Sequence, residues 1–271
     1  MSRQAEQWLA LNGYGPIRER QPLSGGCIAT VQRLRLDGGM TVVVKSLAGG
    51  FANMFAAESC GLQALAAEQA VRIPAVLHAA PGVIILEDLG NGRQSADYWK
   101  ILGRQLAQLH GASKPRFGFE LDNFCGATPQ RNTPCDDGHD FFANHRLMHL
   151  GQQAANKNLL PPDQFQKLDY VASKLGNWIP VMPAVLIHGD LWSGNIHCDS
   201  NGQPALIDPA AYWGWAEAEL AMTTLFGGFH RHFYDSYQEA AGINSEWQER
   251  APLYNLYHLL NHLLLFGSSY L

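Results

Sequence analysis

The chain has 271 residues, 46% of them hydrophobic and 16% charged, with a formal net charge of −5. That length suits one large domain or two small lobes, and the acidic balance argues against a non-specific nucleic-acid surface, which needs a basic excess. Small cationic substrates are tolerated by such a balance but not selected by it. Five cysteines (Cys27, Cys60, Cys125, Cys135, Cys198) are scattered without a C-x-x-C pair, suggesting neither a disulfide framework nor a zinc knuckle. Nothing reaches the roughly 18 uninterrupted apolar residues of a membrane span, and Met1–Gly15 has no cleavage-like segment. A reduced, cytoplasmic enzyme that engages neither membrane nor nucleic acid is the expectation.

In chain order, residues 3–12 carry Trp8, Leu9 and Leu11 among polar residues, a short amphipathic helix. Ser24-Gly25-Gly26-Cys27 supplies a glycine turn, and Val31, Leu34 and Leu36 around Arg33 and Arg35 read as a strand. Asp37-Gly38-Gly39 is a hairpin turn, followed by the β-branched strand Thr41-Val42-Val43-Val44-Lys45. From Phe51 the pattern turns helical through Phe55, Leu62 and Leu65, and Pro74 stops it. Val83-Ile84-Ile85-Leu86 is a further strand, ended by Glu87-Asp88-Leu89-Gly90. Residues 1–90 thus form a β-rich N-terminal lobe, with a linker near 87–92. Residues 91–271 form a larger, mostly helical lobe. Helices are expected over Trp99–His110, 139–156, 163–178 and Tyr254–Phe266, and a segment of loop and short strands breaks the helical half near residue 190.

That segment carries the chemistry. His188-Gly189-Asp190-Leu191-Trp192-Ser193-Gly194-Asn195 sets one carboxylate and, five residues later, an amide; Leu206-Ile207-Asp208 adds a second carboxylate. Phosphoryl transfer needs an acceptor hydroxyl in line with the leaving oxygen and charge neutralisation on the phosphates. Asp190 suits the first task as base, and Asn195 and Asp208 suit Mg²⁺ through oxygen atoms. An isolated Asp-x-x-x-x-Asn is also a loop capped by Asx residues. The flanking His188-Gly189, the internal Gly194 and the strand-borne Asp208 favour the chemical reading. Lys45, at the end of its strand, can reach ATP phosphates if Glu58 on the next helix holds it. Gly25, Gly26 and Cys27 can cover phosphates with backbone amides, although the segment completes neither a P-loop nor G-x-G-x-x-G and is also an ordinary turn. The extended backbone of Glu87, Asp88 and Leu89 can pair with an adenine edge. His258 and His262 lie four apart on the last helix in Leu-rich surroundings, which favours packing or pocket lining over metal binding.

Together these pieces resemble the fructosamine kinase (ketosamine-3-kinase) family of the protein-kinase-like superfold. The resemblance rests on Ser24-Gly25-Gly26-Cys27, Ile85-Leu86-Glu87-Asp88-Leu89, Asp122-Asn123-Phe124-Cys125-Gly126, the 188–195 segment and Asp208-Pro209-Ala210. Glu217-Ala218-Glu219-Leu220-Ala221-Met222, Phe226-Gly227-Gly228-Phe229, Leu260-Asn261-His262 and Phe266-Gly267 extend it. It implies a bilobal α+β fold and ATP- and Mg²⁺-dependent phosphorylation of the 3-hydroxyl of a ketosamine, free or on a glycated protein lysine. The phosphorylated adduct then decomposes, a deglycation repair.

By the same resemblance Trp192 lies near the acceptor, with His262 as a second substrate contact, and a ring on a sugar face is a sensible use of Trp192. The alternative for Trp192 is a core residue anchoring the loop. Glu217 and Glu219 brace the loop or attract the substrate amine. Cys27 matches a family cysteine associated with redox-sensitive dimers, so a monomer or a redox-linked homodimer is implied. Asp208 is followed by Pro209-Ala210 rather than Phe-Gly, so a kinase-style activation-loop flip is not implied, and the chain's stop soon after Phe266 suggests a C-terminal helix that is short or missing. Two other readings stay open: a same-fold kinase of another hydroxylated amine, such as an aminoglycoside or choline, and a non-catalytic nucleotide-binding redox sensor.

Overall fold

The computed structural model describes residues 3–23, 29–47 and 53–267. The N-terminal part runs α1 (Arg3–Leu11), β1 (Ile17–Pro22), β2 (Thr30–Leu36), β3 (Thr41–Ser46), α2 (Met54–Ala67), β4 (Val76–Ala80) and β5 (Val83–Glu87). Its strands make a five-stranded antiparallel sheet in the order β1-β2-β3-β5-β4. Both faces of this sheet are covered. Val83 and Ile85 of β5 join Leu34, Val42 and Val44 in a small core under α1, while Ile84 and Leu86 face Phe55, Leu62 and Leu65 of α2. Side chains alternate between faces along a strand, so covering both sides turns Val-Ile-Ile-Leu into an unbroken apolar run.

Two strands escaped the sequence pattern. β1 is almost wholly exposed and pairs with β2 through polar residues, including an Arg35–Glu19 ion pair at 2.8 Å. β4 is half-buried along its length. Both are edge strands, where one side of the ladder faces solvent and alternation is no longer demanded. Asp37-Gly38-Gly39 closes the β2–β3 hairpin as expected, with both glycines at positive φ.

The second part opens with α3 (Tyr98–Leu109), the short strand β6 (Ser113–Lys114) and a hairpin of β7 (Asn123–Cys125) and β8 (Thr128–Gln130). α4 (Gly138–Phe141) then runs into a π-helical stretch, Phe142–Met148, and α5 (His149–Asn156). The single helix expected over 139–156 is therefore interrupted, at the stretch that buries Arg146. Its guanidinium lies 3.9 Å over the Tyr212 ring and 4.6 Å over Phe141, and π turns inside helices recur where a side chain is specially placed.

α6 (Pro162–Ser173) begins with Pro at its first position, as helices favour, and stops short of the expected residue 178. β9 (Ala184–Ile187), β10 (Ile196–Cys198), β11 (Pro204–Leu206) and β12 (Tyr212–Gly214) flank the 188–195 segment. β12 and β6 pair with β9, and β10 pairs with β11. α7 (Ala216–Leu225), α8 (Arg231–Ala241) and α9 (Trp247–Phe266) finish the chain. α9 is a 20-residue helix containing Pro252, seven residues longer at its N-terminal end than the expected start at Tyr254. Burial of Trp247 and Ala251 offsets the hydrogen bond that Pro252 removes, and the final helix is not short. No helix of the described residues is long and apolar enough to cross a membrane.

Candidate active site

The 188–195 segment leaves β9, whose four residues are all buried, and is held from behind by a buried carboxylate. Glu219 of α7 is 1% exposed; its Oε2 accepts the backbone N–H of His188 at 2.7 Å and its Oε1 that of Gly189 at 2.8 Å. His110 Nε2 lies 3.4 Å from the same carboxylate. Burial works against the charged form of Glu219, but His110 and the His188 amide outweigh it and hold the carboxyl below the ordinary value. Gly189 has φ +81°, and a Cβ there would stand 2.2 Å from the Ala210 carbonyl oxygen, so the close pass of the two segments requires glycine.

His188 is fully buried. Its Nε2 lies 2.8 Å from the Ile207 carbonyl, and its Nδ1 accepts the backbone N–H of Asp190 at 3.3 Å. Burial lowers its pKa, which keeps the ring neutral and structural. Asp190 is half-buried. Asn195 Nδ2 donates to its carbonyl at 2.8 Å and to Oδ2 at 3.2 Å. Burial raises the Asp190 carboxyl to about 7 against the opposing Asn195 hydrogen bond, with Asp208 and Glu219 adding like charge. A carboxyl poised near neutrality suits a proton acceptor.

Asp208 reaches the same place by a hairpin, since Ile207 N donates to the Asn195 carbonyl at 3.1 Å and Ala210 N to the His188 carbonyl at 2.9 Å. Its φ of +58° is rare for a side chain with a Cβ and is seen where surroundings impose it. From the sheet, Lys45 Nζ donates to Asp208 Oδ1 and to Glu58 Oε1, each at 2.5 Å. Burial alone would lower the Lys45 pKa; the two carboxylates reverse this and hold it above its ordinary value. Lys45, Glu58, Asp190, Asn195 and Asp208 are thus brought together.

The nucleotide-covering expectation divides. Gly25, Gly26 and Cys27 lie outside the described residues. The Glu87 N–H is spent on the Ala75 carbonyl at 2.9 Å, and its side chain on Arg72 and the Ala75 N–H. Asp88 pairs with Arg33 at 2.7 Å, and the Leu89 carbonyl accepts Ser200 N at 2.9 Å. The Glu87 N–H and the Leu89 carbonyl are therefore already paired within the protein.

Trp192 is 40% exposed and packs on Gly194, where a Cβ would come within 2.3 Å of the indole. Phe226 meets the Trp192 ring edge-on at 6.4 Å and lies 4.6 Å from His262, which lies 5.4 Å from Phe266. Trp192 and His262 therefore belong to one aromatic row, joined by Phe226 of the Phe226-Gly227-Gly228-Phe229 pattern, whose spacing in the sequence carries no sign of this contact. His262 Nδ1 lies 2.8 Å from the His258 carbonyl, while His258 approaches Cys125 and Asp190, so the two histidines do not converge on one ligand point. Glu217 binds Arg250 at 2.6 and 2.7 Å and accepts from Tyr254 at 3.0 Å, a brace between α7 and α9. The positions of Cys125 and His258 beside Asp190 were not foreseen; only the quoted Asp122–Gly126 and His258/His262 patterns pointed at those residues.

The antiparallel sheet over a helical part, with this Lys/Glu/Asp/Asn/Asp cluster between them, defines a protein-kinase-like phosphotransferase fold. The family model "Fructosamine kinase" matches residues 1–271. The chain belongs to the fructosamine kinase family. It is 43% identical over 259 residues to a probable ketoamine kinase of Synechocystis, covering 94% of this chain and 87% of that protein. It is 36% identical over 280 residues to the chloroplastic protein-ribulosamine 3-kinase of Oryza sativa subsp. indica, covering 97% and 79%. A crystal structure of a candidate fructosamine-3-kinase from Thermobifida fusca superposes with a TM-score of 0.91 at 30% identity, covering 99% and 94%. An aminoglycoside phosphotransferase bound to gentamicin has a TM-score of 0.66 at 16% identity, covering 100% and 92%, a likeness of fold alone.

Proposed function

We propose that this chain is an ATP-dependent kinase that phosphorylates the 3-hydroxyl of ketosamines, with Asp190 as the base. Family membership supports the reaction class, and the meeting of Lys45 with Glu58 and Asp208, beside the Asp190–Asn195 pair, carries the assignment of roles. Residues 1–90 cover the nucleotide and residues 91–271 carry the acceptor. Lys45 binds ATP phosphates, its ammonium held in place by Glu58. Asp190 accepts the hydrogen bond of the acceptor hydroxyl and takes its proton as the γ-phosphoryl group transfers, and ADP leaves.

Mg²⁺ suits the donor set. Asn195 spends its amide nitrogen on Asp190, leaving the carbonyl oxygen for a cation, and the Asp208 carboxylate is 36% exposed, so both offer hard oxygen atoms. Bound there, the ion neutralises phosphate charge. Trp192, with His262 and Phe226, forms an apolar face for the sugar, where an indole can stack on C–H groups.

The test is ADP release over ribulosamines, fructosamines, erythrulosamines and aminoglycosides, free and as glycated protein. Turnover of a ketosamine is expected, with Asp190→Asn slower by about 10³-fold or more and ATP affinity largely retained. Near-normal turnover by Asp190→Asn overturns the assignment of the base. Turnover confined to aminoglycosides overturns the substrate class, and no Mg²⁺-dependent transfer to any acceptor overturns the enzyme.

A further inference from the structure

Asp190 belongs to a group of three ligating residues from three separate segments, two of them buried and Asp190 half-buried. β7 brings Cys125, 2% exposed, and α9 brings His258, 5% exposed. The Cys125 sulfur, an Asp190 carboxylate oxygen and an imidazole nitrogen of His258 all lie within 4.8 Å of one another. His258 Nδ1 is buried without a hydrogen-bond partner, an arrangement that ordinarily costs stability. Asn261 Nδ2 donates to Cys125 Sγ at 3.2 Å and to its carbonyl at 3.2 Å, fixing the thiol. Arg146, the buried cation of this region, donates to the Arg131 carbonyl and to Asn132 Oδ1 and has no ion pair with Asp190. The proton-accepting role of Asp190 uses neither Cys125 nor His258.

We propose that this group is a zinc site, in which Cys125 Sγ, an Asp190 oxygen and the His258 imidazole bind Zn²⁺ and so switch the kinase off. Thiolate, imidazole and carboxylate together are a zinc donor set, and three protein ligands leave a fourth position for water. Zinc bonds of about 2.0–2.3 Å place tetrahedral ligand atoms roughly 3.3–3.8 Å apart, which small side-chain rotations reach from the observed spacing. Mg²⁺ does not compete, since it takes oxygen ligands and avoids thiolates. On binding, the Cys125 thiol loses its proton to solvent and a sulfur–zinc bond forms, with no change of oxidation state. The bound ion takes the oxygen that would receive the acceptor's proton. The inhibitory consequence rests on Asp190 being the base; the site itself does not.

Co²⁺ titration of the full chain without nucleotide, and without thiol reductants, tests the site directly. A near-ultraviolet thiolate-to-cobalt band saturating at about one ion per chain is expected, displaced by Zn²⁺. The band is lost in Cys125→Ser and kept in Cys60→Ser and Cys27→Ser. In the ketosamine assay with excess Mg²⁺, Cys125→Ser raises the Zn²⁺ concentration for half-inhibition by roughly tenfold or more, the scale on which even supporting residues of metal sites act. If Cys125→Ser does not fold, His258→Gln weakens the cobalt band's affinity by the same measure. Absence of the band, or its survival in Cys125→Ser, overturns the proposal. A normal band in a chain with no ketosamine turnover overturns the proposed function and leaves the site standing.

Discussion

Lys45 and Asp208 stand 163 positions apart in the chain and 2.5 Å apart in the molecule. With Glu58 at 2.5 Å on its other side, the ammonium bridges two carboxylates that would otherwise repel. Lys45→Met is expected to cut turnover by on the order of 10²-fold or more. It should also destabilise the fold by about 3 kcal/mol, because a largely buried Glu58 loses its counter-charge while Asp208 retains solvent. Adding Glu58→Gln should restore part of the stability and none of the activity. Urea unfolding and ADP release on the two variants check both halves, and recovery of activity in the double variant would refute the phosphate-binding role of Lys45.

Glu219 receives two backbone N–H groups of the 188–195 segment, one on each oxygen. Glutamine keeps one acceptor and turns an NH₂ group toward the other donor. Glu219→Gln should therefore cost about 1–3 kcal/mol and lower kcat more than it changes the KM for ATP. Steady-state kinetics beside thermal unfolding separate this from a wholly structural effect, which would move Tm and leave kcat alone.

The contact between Gly194 and the Trp192 ring gives a change confined to the acceptor side. In Gly194→Ala the new Cβ would come within 2.3 Å of the indole, so the ring must swing out of the row it forms with Phe226 and His262. A raised KM for the ketosamine is expected, with the KM for ATP little changed. Equal increases in both would show that Trp192 anchors the loop and does not face the sugar.

Asp88 supplies a pH dependence of stability. Burial would raise its pKa, but Thr41, Arg33 and the Gly90 amide outweigh burial and depress it below the ordinary 3.8. A carboxyl depressed on folding stabilises the native state above its unfolded pKa, and that stability is lost as pH falls through the folded value. Acid should therefore weaken the wild-type fold below about pH 4, and part of that slope should vanish in Asp88→Asn. Denaturant midpoints at pH 7, 5 and 3 measure it; an unchanged slope would show that the Arg33 pair does not contribute.

Much of the fold was legible because burial imposed local patterns. The β3 and β5 runs are apolar on both faces because α1 and α2 cover both, and the β2–β3 hairpin announced itself through Asp37-Gly38-Gly39. β1 and β4 left no such pattern, since an edge strand needs only a partner on one side. The break at Phe142–Met148 was equally silent, because it answers to the burial of Arg146 among rings contributed from elsewhere.

The candidate site divides the same way. The spacing of Asp190, Asn195 and Asp208, and the placement of Lys45 and Glu58, could be read directly, because each role depends on residue type and short-range geometry. What surrounds them could not: Glu219 against the His188 and Gly189 amides, Cys125 and His258 against Asp190, and Phe226 between Trp192 and His262. The Glu87 amide, expected at the adenine edge, is taken by Ala75.

By itself, then, the sequence determined which groups are available for phosphoryl transfer and in what order along the chain, since short spacings translate into fixed local geometry. Only the tertiary structure decided which charges neutralise each other, which polar atoms are left without partners, and which rings form one face. Those outcomes depend on packing between residues up to 163 positions apart, and no periodicity in a chain encodes a distance of that kind.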